Sequence, residues 1–112
     1  MLLQKQIKVT IILFFIISVI LNATNIRGRI DGYNQYYRSY YPLSRVTVDL
    51  YFFNQNRWQQ VSRYITGNDG MYYFQNLYPG NNYSIQINGR ENYPISVYNM
   101  PNQDLPLITL SY

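Results

Sequence analysis

The chain has 112 residues, enough for one domain, and it contains no cysteine and no histidine. Disulfide bonds, cysteine metal sites and a Ser-His-Asp triad are therefore excluded, and the commonest general base is missing. The formal charge of +4 and the 14 tyrosines have to be located along the chain before they indicate a function.

Residues 1–23 have the pattern of an export signal. Lys5 and Lys8 give a positive start, and a mainly apolar run of 13 residues, Val9 to Leu21, follows. This run is shorter than the roughly 20 residues that a membrane span requires. We expect a signal helix that is cleaved after Ala23. The alternative is an uncleaved anchor, in which residues 9–21 are the membrane contact.

Removing this segment changes the charge balance, because both lysines of the chain lie in it. Residues 24–112, the predicted single domain, contain seven arginines against five acidic residues, a net charge of +2. The arginines are scattered singly, whereas a nucleic-acid site needs clustered basic residues. We therefore expect no nucleic-acid partner. Because residues 1–23 have the pattern of an export signal, we expect an exported protein that is periplasmic, cell-surface or secreted.

Beyond residue 24 the apolar residues alternate with period two between turns rich in Gly, Pro and Asn, which is typical of an all-β sandwich. Seven strands are predicted, at 26–30, 46–52, 57–66, 71–75, 83–88, 93–98 and 105–112. Asp31-Gly32 is expected to end the first strand, and 101–104 to form a loop. Pro106 suggests that the last strand begins at a sheet edge.

The positions of the aromatic residues along the predicted strands indicate which face of the sheet each one occupies. Trp58 and Val61 differ in parity, which predicts a bulge or twist inside that strand. We expect Trp58 to lie in the core, as a single tryptophan of a sandwich usually does. Tyr51, Met71 and Tyr73 lie on the strand faces opposite the core residues. There they form either an exposed apolar patch or ordinary surface.

Residues 66–85 read TGNDGMYYFQNLYPGNNYSI. This run resembles the T-x-x-DG-x-Y-x-F-x-N-L-x-PG-x-Y-x-I pattern of carboxypeptidase regulatory-like and Cna B-type domains, which are prealbumin-like (transthyretin-like) β-sandwiches. Gly28–Asp31 and Pro42–Leu50 resemble upstream segments of the same domains. The motif residues are Asp69, Gly70, Tyr72, Phe74, Leu77, Pro79, Gly80 and Tyr83. The resemblance implies a seven-stranded Greek-key sandwich of Ig-like type.

The departures from this family bear on function. Many Cna B-type domains form a Lys–Asn isopeptide bond, which residues 24–112 cannot form without a lysine. Related hydroxyisourate hydrolases rely on His, and intradiol dioxygenases hold iron with two His and two Tyr, so neither chemistry is open. A Ca²⁺ site from Asp31, Asp69 and Asp104 is disfavoured, because calcium sites usually draw carboxylates close in sequence. We expect a non-enzymatic module with no catalytic residue, cofactor or metal.

A tyrosine-rich stretch is the strongest candidate for a binding site. Its members are Tyr33, Tyr36, Tyr37, Arg38, Tyr40 and Tyr41. The resemblance places them in the loop between the first two strands. Exposed tyrosines offer contact area with a polar tip at a small entropic cost. The expected function is therefore structural, adhesive or protein-interaction work at the cell envelope. The alternatives are a carbohydrate-binding module that uses this loop, and a hairpin whose rings only pack on the sandwich edge.

Overall fold

The computed structural model describes residues 23–111. These residues form strands and turns without a helix, so no helix in this range could cross a membrane. The predicted signal helix lies outside the described residues. The strands are β1 (Thr24–Asn34), β2 (Ser39–Pro42), β3 (Thr47–Asn54), β4 (Arg57–Ile65), β5 (Met71–Leu77), β6 (Gly80–Ile87), β7 (Glu91–Val97), β8 (Asn102–Asp104) and β9 (Ile108–Ser111).

The strands form two sheets, as an all-β sandwich requires. In the five-stranded first sheet, β1 is central: antiparallel β5 and β2 pair with it, and so do the parallel strands β8 and β9. The second sheet has the order β4-β3-β6-β7 and is antiparallel throughout. Strands β4 and β7 are therefore the edges of the second sheet.

One apolar core lies between the two sheets, and the alternation of the sequence explains its composition. The alternate apolar residues Val48 and Leu50 of β3 are buried, as is every second residue of β6 from Tyr83, and the predicted core positions Tyr72 and Phe74 are buried as well. The buried apolar residues are Ile26, Ile30, Val46, Val48, Leu50, Tyr72, Phe74, Leu77, Tyr83, Ile85, Ile87, Ile95, Val97, Ile108 and Leu110. Each large side chain contributes roughly 1.5–3 kcal/mol on burial, which provides stability without disulfides.

The Asp69-Gly70 turn has the geometry that its sequence predicts. Gly70 has a φ of 73°, and a Cβ there would lie 2.5 Å from the carbonyl oxygen of Ile30. The Asp69 side chain accepts a hydrogen bond of 3.0 Å from the backbone N–H of Met71. This turn therefore delivers the chain from β4 to β5 next to the middle of β1.

The prediction of seven strands is wrong, because the described residues contain nine. Strand β1 runs through Asp31-Gly32 instead of ending there. The missing side chain of Gly32 lets the ring of Tyr41 pack over the strand, since a Cβ at Gly32 would lie 2.7 Å from that ring. The continuation pairs with β2, so residues 33–41 form a hairpin and not a loop.

The predicted loop at 101–104 is the second correction, since β8 pairs there with β1. Buried Gln103 holds this short strand: its Oε1 accepts from the backbone N–H of Tyr98 and its Nε2 donates to Ser96 O, both at 2.8 Å. Three residues are too few to show a period in the sequence. The last strand begins at Ile108, later than the predicted 105.

Candidate binding surfaces

The first candidate surface is the Tyr hairpin, residues 33–41, formed by the end of β1, a turn at 35–38 and the start of β2. Tyr33 lies opposite Tyr40 in the register. Asn34 Oδ1 accepts hydrogen bonds from the backbone N–H groups of Tyr36 at 3.0 Å and Tyr37 at 3.1 Å. This Asx-type turn fixes the backbone of the hairpin tip.

Three tyrosines of the Tyr hairpin project into solvent. The exposed fraction is 87% for Tyr36, 73% for Tyr37 and 65% for Tyr40. Tyr41 differs, because its ring covers Gly32 and thereby packs on the hairpin backbone. The packing alternative thus describes Tyr41 and the contact of Tyr40 with Tyr33, whereas Tyr36 and Tyr37 contact each other at the tip.

The rings of the Tyr hairpin are inclined to one another. Tyr33 and Tyr40 have centroids 5.0 Å apart and planes at 50°. Tyr36 and Tyr37 have centroids 4.9 Å apart and planes at 85°. Arg38 completes the turn with a φ of 52° and is exposed. The surface is therefore corrugated, with rings in several orientations around one cation.

The second candidate surface lies on the outward face of the β4-β3-β6-β7 sheet and includes Trp58. The prediction that Trp58 lies in the core is wrong, because 50% of its side chain is exposed. It lies opposite Phe53 in the register, with ring centroids 5.2 Å apart. The predicted bulge is present, as a register shift between Leu50 and Tyr51, and it leaves Val61 exposed.

The sequence contains a signal for this outward placement. Gln55 and Asn56 both have positive φ, 53° and 62°, so β3 and β4 are joined by a two-residue turn of the primed type. A two-residue turn pairs Phe53 with Trp58, and Phe53 shares the outward face with Tyr51. Register therefore overrides the general tendency of tryptophan to be buried.

A shallow depression of about 370 Å³ adjoins the indole of Trp58. Its lining residues, which we call the Trp58 platform, are Tyr51, Trp58, Ser84, Gln86 and Asn92. The Tyr51 O–H donates to Gln86 Oε1 at 3.3 Å, and Ser84 Oγ donates to the carbonyl oxygen of Tyr93 at 3.2 Å. The platform thus combines two aromatic rings with three uncharged polar groups.

Tyr51, Met71 and Tyr73 do not form one patch, since Tyr51 is on the second sheet and the other two on the first. The Tyr73 ring contacts Tyr64 of β4, with centroids 5.6 Å apart. Tyr51 belongs instead to the Trp58 platform. Of the two alternatives for these residues, the structure does not place the three in one joint patch.

Three ion pairs join an arginine to an aspartate among residues 23–111. Asp49 is buried on the outward side of β3, where Arg63 Nε donates to it at 2.6 Å and Gln60 Nε2 at 3.1 Å. The hydrogen bond to Asp49 raises the pKa of Arg63. On the first sheet, Arg27 donates to Asp104, and this hydrogen bond lowers the pKa of the Asp104 carboxyl.

The three aspartates considered for calcium each have another partner. Asp31 accepts from Arg29 at 2.7 Å, Asp69 caps its own turn, and Asp104 pairs with Arg27. Among residues 23–111 no group of three His, Cys, Asp or Glu side chains is placed to hold a metal ion. Each of these three carboxylates therefore already accepts a hydrogen bond from within the protein.

No protein-family model matches this chain, and no curated protein matches it significantly.

Proposed function

We propose that this chain is an exported, non-enzymatic interaction module of the cell envelope, and that the Tyr hairpin binds a protein partner there. The observation that carries the proposal is the exposure of Tyr36, Tyr37 and Tyr40 at the tip of a well-ordered turn. Large aromatic side chains are costly to leave in water unless they meet a partner, and tyrosine is enriched where protein surfaces bind each other.

The absence of histidine and cysteine from the sequence supports a non-enzymatic role, since the usual nucleophile and base pairs cannot be formed. The proposed export rests on the signal-like segment 1–23. Together these features suggest a domain whose work is adhesion or assembly outside the cytoplasm.

The finer fold assignment belongs to the same proposal. We infer a Greek-key, prealbumin-like sandwich related to carboxypeptidase regulatory-like and Cna B-type domains. The buried motif residues Tyr72, Phe74, Leu77 and Tyr83 and the left-handed Gly70 support it, because each has the environment that the motif requires.

Saccharide binding by the Tyr hairpin is the alternative. A row of coplanar exposed rings would support it, because sugar rings stack on flat aromatic surfaces. The observed planes at 50° and 85° form a corrugated surface instead. Asn34 Oδ1 is also already engaged by two backbone N–H groups. These features favour a protein partner at the hairpin.

Site-specific photocross-linking tests the proposal in cells that encode the chain. p-Benzoylphenylalanine placed at Tyr36 or Tyr37 of the full chain is expected to give one discrete protein adduct in the envelope fraction. Asn68 in an exposed turn and Asn81 at the exposed start of β6, both outside the hairpin, serve as control positions. Equal adducts at the control positions, or none at the hairpin, would contradict the proposal.

A further inference from the structure

We propose that the Trp58 platform is a second binding site, which takes a neutral oligosaccharide. This inference goes beyond the proposed protein contact of the Tyr hairpin and concerns the other sheet of the sandwich. It rests on the ring, the polar groups and the charge of the depression on the outward face of β3, β4, β6 and β7.

The indole of Trp58 is a prepared stacking surface. Half of the side chain is exposed, while Phe53 holds the ring through a contact at 5.2 Å between centroids. A ring that is already held loses little rotamer freedom when a ligand binds. The negative face of an indole attracts the positively polarised C–H groups on the apolar face of a sugar ring.

The polar groups of the platform match the hydroxyls of a sugar. The Tyr51 hydroxyl donates to Oε1 of Gln86, which leaves the Nε2 amide group of Gln86 to donate to a ligand. Ser84 uses its hydrogen on Tyr93 O, so its oxygen is left to accept. Asn92 supplies a donor and an acceptor side by side. Vicinal hydroxyls both donate and accept, and this mixed set suits them.

The charge of the site selects a neutral ligand. None of the five lining residues is charged at neutral pH. The nearest acid along β3 is Asp49, and Arg63 and Gln60 already compensate it. An acidic polysaccharide or a nucleic acid would find no cation in the depression. A volume of about 370 Å³ is within the range of small-molecule sites.

An extended peptide fits this surface less well. Peptides that add to sheets need unpaired backbone groups, whereas β3 and β6 are each paired on both sides. The part of the depression over β3 and β6 therefore offers side chains only, and the unpaired edges of β4 and β7 lie at the two ends of the sheet. We commit to a saccharide, and a peptide becomes an outcome of the test.

The test uses the intrinsic fluorescence of the full chain, in which Trp58 is the only tryptophan. Cellohexaose, xylohexaose, maltohexaose and chitohexaose are titrated separately, with a proline-rich decapeptide as the peptide probe. We expect a saturable change in Trp58 emission with at least one hexasaccharide. Response to the decapeptide alone, or to none of the five probes, would overturn the proposal.

Variants that keep the tryptophan localise the site. Gln86→Ala with Asn92→Ala is expected to raise the dissociation constant about tenfold or more, since each good hydrogen bond contributes roughly 1 kcal/mol. Isothermal titration of Trp58→Ala should show no binding. Far-UV circular dichroism of each variant reports whether the sandwich is intact. Retention of binding in folded Trp58→Ala would overturn the assignment.

The matched control separates this site from the Tyr hairpin. Tyr36→Ser, Tyr37→Ser and Tyr40→Ser combined should leave the saccharide titration unchanged. If these changes abolish saccharide binding while Trp58→Ala does not, the saccharide site is the hairpin and the present proposal fails. The photocross-linking experiment tests the Tyr hairpin and does not depend on the outcome of the saccharide titration.

Discussion

At the scale of single residues, the buried phenol of Tyr72 is the polar group with the clearest cost. Its hydroxyl has no hydrogen-bond partner and lies directly over Gly28, where a Cβ would be 2.2 Å from it. An unsatisfied buried hydroxyl costs about 1–3 kcal/mol. Tyr72→Phe should therefore leave the free energy of unfolding unchanged or raise it by about 1 kcal/mol, as measured by urea denaturation near neutral pH.

The matched control is Tyr83→Phe, at another buried core tyrosine. The Tyr83 hydroxyl accepts a hydrogen bond of 3.2 Å from the backbone N–H of Tyr78. Its removal should lower stability by about 1 kcal/mol. Equal losses in both variants would mean that the Tyr72 hydroxyl has a partner after all.

Alkaline pH gives an independent measure of the same residue. Burial raises the pKa of Tyr72 above its ordinary value of 10.0. Above that pH the unfolded chain loses the proton while the folded chain keeps it, so wild-type stability falls as the pH rises. Tyr72→Phe should show a smaller fall between about pH 9 and 11. Identical pH profiles would contradict the burial of this phenol.

At the scale of elements, Thr66 joins the segment after β2 to the end of β4. Its buried Oγ1 donates to Leu43 O at 2.7 Å and accepts from the backbone N–H of Val46 at 2.9 Å. Thr66→Val removes both hydrogen bonds and should cost about 2–3 kcal/mol in urea denaturation. Thr66→Ser keeps the oxygen and should cost about 1 kcal/mol. A valine variant as stable as the serine variant would contradict this linking role.

The elements also show what the sequence could predict. The alternation of Tyr83, Ile85 and Ile87 correctly identifies a core face, because a fully paired strand has one side against the other sheet. The same alternation fails for Trp58 on β4, because the two-residue turn at Gln55 and Asn56 pairs Trp58 with Phe53 on the outward face. The short β8 depends on the side-chain hydrogen bonds of Gln103, which leave no periodic pattern.

The sequence alone predicts the Tyr hairpin and the Trp58 platform to different extents. Tyrosine is amphipathic, so the composition of residues 33–41 fits packed and exposed rings equally well. Their exposure depends on the extension of β1 past Gly32, where β1 pairs with β2 and the ring of Tyr41 packs over Gly32. The Trp58 platform depends on cross-strand register between four strands, and a single strand does not contain that information.

At the scale of the whole molecule, the two sheets carry different aromatic surfaces around one apolar core. The core accounts for stability and does not need Tyr36, Tyr37 or Tyr40, whose side chains are largely in solvent. Replacing them should therefore separate binding from folding. The proposed function of the Tyr hairpin depends on this separation of binding from folding.

Co-sedimentation with isolated cell envelopes measures binding separately from folding. The wild-type chain and the combined Tyr36→Ser, Tyr37→Ser and Tyr40→Ser variant are compared with a control, Tyr78→Ser with Tyr98→Ser, whose tyrosines are also exposed. We predict that the hairpin variant binds about tenfold more weakly, that the control binds like wild type, and that all three share one unfolding midpoint. Undiminished envelope binding by the folded hairpin variant would contradict the account.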